Sequence, residues 1–177
     1  MNSNNKVREL VFAALLTAFA IIIPIQFGFL KVFIPPFFTA TITFHVPMFL
    51  AMLISPTVAV FVGIGSALGL FLAGLPIPIV FRGLTHIIVG LIGCKIVLKN
   101  RNFKKAILIT GPIHGILEAL VITLFVGFDV YQILIVTGIG TFIHHYIDGT
   151  ISYVLAEAIS KSRRKDIYTT FNESKAS

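Results

Sequence analysis

The sequence predicts an all-α integral membrane protein of six transmembrane helices with both termini in the cytoplasm. Three observations carry that expectation. Of 177 residues, 56% are hydrophobic and only 12% charged, with a mean hydropathy of +0.97. A soluble domain carries about 25% charged residues, so this chain lacks the charge to coat a water-facing surface. Apolar runs recur between Pro, Gly and basic breaks, near the ~20 residues a spanning helix needs. The basic residues are sorted by segment, which in a membrane protein reports orientation. A net charge of +7 is therefore a topology label, and no nucleic-acid partner is expected. The single cysteine, Cys94, excludes an internal disulfide framework and a multi-cysteine metal site.

Helix 1 is expected over 7–27, opening after Lys6 and Arg8 and ending near Pro24. Ala18-Phe19-Ala20 has the small-x-small form of a signal cleavage site, but the apolar run continues through Ile21-Ile22-Ile23, so a retained helix is expected. Paired prolines at Pro35-Pro36 cannot continue a helix and make 28–38 an outer loop, an unusually apolar one. Helix 2 is expected over 39–54 and helix 3 over 57–74, joined by a tight turn at Ser55-Pro56. Gly74-Leu75-Pro76-Ile77-Pro78 breaks the chain before helix 4 at 79–98. A basic loop leads to helix 5 at 106–126, and Gly127-Phe128-Asp129 turns into helix 6 at 131–160. Residues 1–160 thus form one transmembrane domain, and 161–177 a polar, basic, frayed cytoplasmic tail.

Twelve of the fourteen lysines and arginines agree on one orientation. They are Lys6 and Arg8, then Lys95, Lys99, Arg101, Lys104 and Lys105, then Lys161, Arg163, Arg164, Lys165 and Lys175. Six spans put all three groups on the cytoplasmic face, whereas five would divide the last two. The exceptions are Lys31 in the first outer loop and Arg82 inside helix 4.

Ionisable groups within spans are costly and mark functional sites by default. His45 lies on helix 2, Arg82 and His86 on helix 4, His114 and Glu118 on helix 5, and His144, His145 and Asp148 on helix 6. Arg82/His86, His114/Glu118 and His144/Asp148 are spaced i, i+4, which places each pair on one helix face. Lipid rejects such stripes, so they should converge on an outward-opening cavity beneath the loop carrying Lys31. Buried acid–base pairs also lock helices together, so a structural role stands beside a binding one. Arg82 needs an anion, supplied by Glu118 or by a substrate. No metal is expected: there is no His-Glu-x-x-His pattern, adjacent His144 and His145 point about 100° apart on a helix, and Arg82 repels cations. No enzymatic activity or cofactor is expected either. Cys94 sits away from the histidines as packing, and no Walker-type Gly-Lys-Ser/Thr is present.

Ala14 and Ala18 form a small-xxx-small motif on helix 1, reinforced by Ala13 with Thr17, and such a face admits another helix closely. This motif, six short spans with both ends inside, and an apolar first outer loop together resemble the substrate-binding S components of energy-coupling factor vitamin transporters. The resemblance covers 7–160. The stretch from Pro36-Phe37-Phe38-Thr39-Ala40-Thr41 through Phe44-His45-Val46-Pro47 to Ser55-Pro56, with Phe81-Arg82-Gly83-Leu84-Thr85-His86, is most similar to the niacin-type branch. Pantothenate and other vitamin branches remain open. The resemblance implies a protein of a bacterial cytoplasmic membrane that binds a small vitamin from outside and associates with a transmembrane coupling protein and two ATPases. It also implies that Ala14 and Ala18 meet the coupling helices and that 28–38 closes over the substrate. A pyridine carboxylate needs a cation and aromatic faces. Arg82 offers a bidentate fork, with Lys31 or His86 as supporting donors and Phe33, Phe37 and Phe44 as ring surface. Glu118, His45 or His144 can accept from a protonated ring nitrogen. The competing class is a stand-alone carrier driven by protons through His114, Glu118 and Asp148.

Overall fold

A computed structural model describes residues 3–172; Lys175, counted in the third basic group, lies outside the described residues. Helix α1 spans Ser3–Gln26 and contains Pro24 in its last turn. A single 3₁₀ turn, Gly28–Leu30, leads into a two-stranded antiparallel hairpin of β1 (Lys31–Ile34) and β2 (Phe38–Thr41). The expected loop is thus an ordered hairpin, and the expected start of helix 2 is a strand. The β-branched Val32, Ile34, Thr39 and Thr41 favour the pleated form, while Pro35 and Pro36 occupy the turn, where no ladder N–H is needed. Thr43 then takes φ 74°, a left-handed conformation that no helix from 39 could pass through.

Helix α2 is accordingly only Val46–Met52, with Pro47 in the first turn where its missing N–H costs nothing. Its seven residues are all buried. They rise about 10 Å, a third of a hydrocarbon core of about 30 Å, so hairpin and short helix together stand where a spanning helix 2 was expected. Ser55 caps α3 (Pro56–Leu72), its Oγ accepting from Val58 N at 3.2 Å. Helices α4 (Ile77–Asn100) and α5 (Phe103–Val126) are each 24 residues, and Asn102 caps the latter by accepting from Lys105 N at 2.8 Å. Helix α6 opens as a π-helical stretch, Tyr131–Ile139, and continues as α-helix over Gly140–Ser162. Among the described residues three helices, Asn5–Gln26, Ile77–Asn100 and Phe103–Val126, are long and apolar enough to cross a membrane, and α3 is a shorter apolar helix.

The expected frayed tail also folds in part, as α7 (Ile167–Phe171). Asp166 caps it, accepting from Tyr168 N and Thr169 N at 2.9 and 3.1 Å. The Thr169 hydroxyl and these amides, with Arg101 beside, hold the Asp166 carboxyl below its usual range. Phe171 is buried against Phe12, ring centroids 6.1 Å apart, and Asn172 Nδ2 donates to Ile54 O at 2.8 Å. Arg8 donates to Thr170 O, Ser55 to Glu9, and Arg101 pairs with Asp166 at 3.0 Å. The start of α1, the α2–α3 turn, the α4–α5 loop and α7 therefore share one end of the bundle. At the other end the hairpin turn meets the start of α6, where Gln132 Nε2 donates to Pro35 O at 3.3 Å.

Helix α3 lies between α1 and α4 and approaches both through glycine. A Cβ on Gly69 would stand 2.6 Å from the Ala20 carbonyl oxygen of α1, and backbone cannot yield as a side-chain tip can. Gly69→Val is expected to destabilise the bundle by about 1–3 kcal/mol or more, read as a lowered unfolding temperature in detergent. Gly28→Ala, where an added Cβ meets nothing within 4 Å, should leave it unchanged. The bundle's flank is apolar, with Ile116, Leu120 and Leu124 of α5 all at least 60% exposed. Such a surface suits hydrocarbon.

Candidate functional site

Five helical or hairpin segments deliver polar side chains to one buried region below the hairpin. Arg82 on α4 is 4% exposed and fully engaged. Its Nε and Nη2 donate to Glu118 Oε2 at 3.0 and 2.6 Å, and Nη1 donates to the Phe37 carbonyl at 2.8 Å. Nη2 also lies 3.4 Å from Thr141 Oγ1, and Thr141 donates to the same Glu118 oxygen. The guanidinium carbon sits 5.0 Å from the Phe38 ring centroid, a cation–π distance. Glu118 therefore supplies the anion Arg82 requires, and the hairpin turn covers the remaining arm of the fork. Thr85, placed one turn along, donates back to Arg82 O at 2.6 Å.

Asp148 on α6 holds the segment between β2 and α2. It accepts from Thr43 N at 2.8 Å and His45 N at 2.9 Å, which fixes the left-handed residue and the entry to α2. His45 Nδ1 and His144 Nε2 each lie 3.2 Å from Asp148 Oδ2, and His144 Nε2 also donates to Thr41 O at 3.0 Å. All five histidines cluster. The His45 ring centroid is 4.8 Å from His86, 4.8 Å from His114, 4.4 Å from His144 and 6.4 Å from His145. Adjacent His144 and His145 both remain inside because α6 packs against β2 on one side and α5 on the other; His145 Nε2 reaches Ile107 O at 3.1 Å.

A cavity of about 20 Å³ is lined by Thr39, Thr41, Phe44, His45, Arg82, His86, Glu118 and His144 among others. That is room for about one water. Arg82, His86, His45, Glu118 and His144 are thus brought together as expected from the sequence. Phe37 takes part through its carbonyl. Lys31 and Phe33 do not line the cavity: they sit on the outer strand, opposite Thr41 and Thr39, which do. Directly opposed residues share a hairpin face, so Lys31 and Phe33 face the same way from one strand further out. The roles of Phe38, which lies against the Arg82 guanidinium, and Thr141, which bonds Glu118, are not legible in the sequence: a phenylalanine among seventeen and one threonine in an apolar run carry no signal. On α1 the two small-residue pairs separate. Ala13 is buried and Thr17 meets Gly65 of α3, whereas Ala14 and Ala18 face outward, exposed beside Val11 and Leu15.

A helical bundle with an apolar flank, enclosing an arginine, a glutamate and histidines beneath a covering hairpin, has the build of a membrane transport protein. The chain is 33% identical to the niacin transporter NiaX of Lactococcus lactis subsp. cremoris, over 92% of this chain and 79% of that relative. It belongs to this niacin-transporter family, in agreement with the niacin-type likeness of its motifs. No family model and no solved structure matches it.

Proposed function

We propose that this chain is the membrane-embedded substrate-binding subunit of an energy-coupling-factor importer, capturing a niacin-like carboxylate from outside the cell. The observation that carries the reading is Arg82 at the cavity wall, with one guanidinium arm held only by the hairpin's Phe37 carbonyl, in a chain related to a niacin transporter. The gathering of the three basic segments' neighbourhoods at one bundle end supports six passes with both termini cytoplasmic, the hairpin with α2 serving as the second. Raising the hairpin frees Nη1 and opens a space now too small for any pyridine ring. A substrate carboxylate takes the carbonyl's place on Nη1, as a charge-assisted and therefore stronger bond. His86, His45, His144 and Glu118 then face the ring and its nitrogen, Phe37 and Phe38 close above it, and Lys31 and Phe33 contribute from the outer strand once the hairpin has moved. The outward pair Ala14 and Ala18 meets the coupling protein, which joins two ATPases.

Equilibrium binding to purified protein tests the anchor. Nicotinic acid should bind at least about tenfold more tightly than nicotinamide, because only the acid replaces a neutral carbonyl with a charge on the guanidinium. Equal affinity for the two would overturn the assignment of Arg82. The buried His–carboxylate network favours one second reading, a stand-alone proton-driven carrier; uptake that persists without ATP and collapses with the proton gradient would select it.

A further inference from the structure

His45, His86 and His114 are buried, come from three different segments, and present one ligand-type atom each, all within 4.8 Å of one another. The hydrogen bonds around them fix which nitrogens are bare. The Ile107 carbonyl can only accept, so His145 Nε2 carries a hydrogen toward it. Neutral His145 then accepts at Nδ1, and His114 Nδ1, 3.1 Å away, must donate to it. That leaves His114 Nε2 with a naked lone pair, without a hydrogen-bond partner and 3.4 Å from Glu118 Oε1. A lone pair facing a carboxylate oxygen in a buried site is repulsive unless a cation stands between or beside them. His86 Nδ1 is likewise buried and unpartnered. His45 Nδ1 also lacks an aligned hydrogen bond but lies 3.2 Å from Asp148 Oδ2, so a small turn of the ring forms the carboxylate–histidine pair that leaves the other ring nitrogen for a metal.

Charge points the same way. Among the described residues the buried charged side chains are Arg82, Glu118 and Asp148, one cation against two carboxylates. Arg82 is neutralised by Glu118, which removes the repulsion expected from the sequence, and the three ligands do not include the divergent His144–His145 pair as such. We propose that His45, His86 and His114 form a binding site for a first-row divalent transition cation of the Zn²⁺ class, with Asp148 and His145 orienting two of the ligands. Four-coordinate Zn–N distances of about 2.0–2.1 Å set nitrogens about 3.3 Å apart, so the ligand atoms close in by at most about 1.5 Å from the 4.8 Å limit. Rotation of the imidazoles about their side-chain bonds covers that distance. His45 and His86 also line the cavity, so the fourth position opens toward it.

The site does not depend on which vitamin is bound, and its test uses metal alone. Untagged protein in detergent is stripped with chelator, dialysed against Zn²⁺, freed of loose metal and assayed by mass spectrometry. The expected content is about one Zn²⁺ per chain, and Co²⁺ in its place should give the visible absorption of a low-coordinate nitrogen-ligated ion. His86→Gln and His114→Gln should each weaken binding by about tenfold or more, while nicotinic acid binding is measured separately on the stripped protein. Absence of bound Zn²⁺ together with a Co²⁺ spectrum of the aquo ion overturns the site without recourse to any variant. Retention of metal in folded His86→Gln and His114→Gln overturns it equally, and a proton on His114 then supplies the missing positive charge.

Discussion

Arg82→Ala is expected to abolish substrate capture and to destabilise the bundle, two effects that a second substitution separates. In the single variant Glu118 stays buried with Thr141 as its remaining donor and its neighbouring cation gone. Breaking a buried pair by removing one partner costs about 3–5 kcal/mol, so unfolding should shift sharply downward. Arg82→Ala with Glu118→Gln removes both charges and should regain much of that stability, since neither leaves an unpaired ion behind. Nicotinic acid affinity should not return. Loss of a charged, hydrogen-bonded contact costs about 2–5 kcal/mol, or about 30-fold to several thousand-fold in dissociation constant. Calorimetry on the two proteins gives both readouts. A double variant that folds and binds nicotinic acid like the wild type would show that Arg82 serves only to pin Glu118.

Bulky residues at Ala14 and Ala18 should do the opposite: spare the site and disable uptake. Both alanines face outward, so Ala14→Leu with Ala18→Leu adds side chains to the outer side of α1 and disturbs no internal contact. Substrate affinity should stay within about twofold, while co-purification with the proposed coupling protein and uptake into cells should fall by at least about tenfold, because close helix approach depends on small residues. Ala13→Leu is the contrasting variant. Ala13 is buried toward the bundle, so it should lower stability instead. Unchanged complex formation by the Ala14/Ala18 variant would remove the proposed interface, and unchanged uptake would favour the stand-alone carrier.

Much of the site was legible one helix at a time. The i, i+4 pairs on α4, α5 and α6 could be read from spacing, since helical periodicity puts both members on one face and lipid forbids that face an outward orientation. Spacing left the anion of Arg82 open between Glu118 and a substrate, and it named no partner for Asp148 beyond its own helix. Arg82 meets Glu118, thirty-six positions away, and Asp148 meets the backbone of Thr43 and His45 across more than a hundred. The segment 39–54 departs from a single helix for a related reason. An apolar run of 39–54 fits a helix by hydropathy, and only the Thr43 turn, pinned by Asp148, breaks it into strand and short helix. The hairpin's β-branched residues gave a hint that the surrounding phenylalanines and prolines obscured.

The membrane class, the clustering of basic residues into three segments and the polar stripes on α4 to α6 were determined by the sequence itself, because hydropathy, charge placement along the chain and helical period are local properties. The tertiary structure alone decided that Ala14 and Ala18 face outward while Ala13 and Thr17 face in, that the hairpin caps Arg82 through Phe37 and Phe38, and that five histidines share one buried cluster. Those outcomes depend on which surfaces meet when long-range contacts form. Spacing along the chain orients a side chain on its own helix, but the identity of its neighbour is settled only by the packing of the helices together.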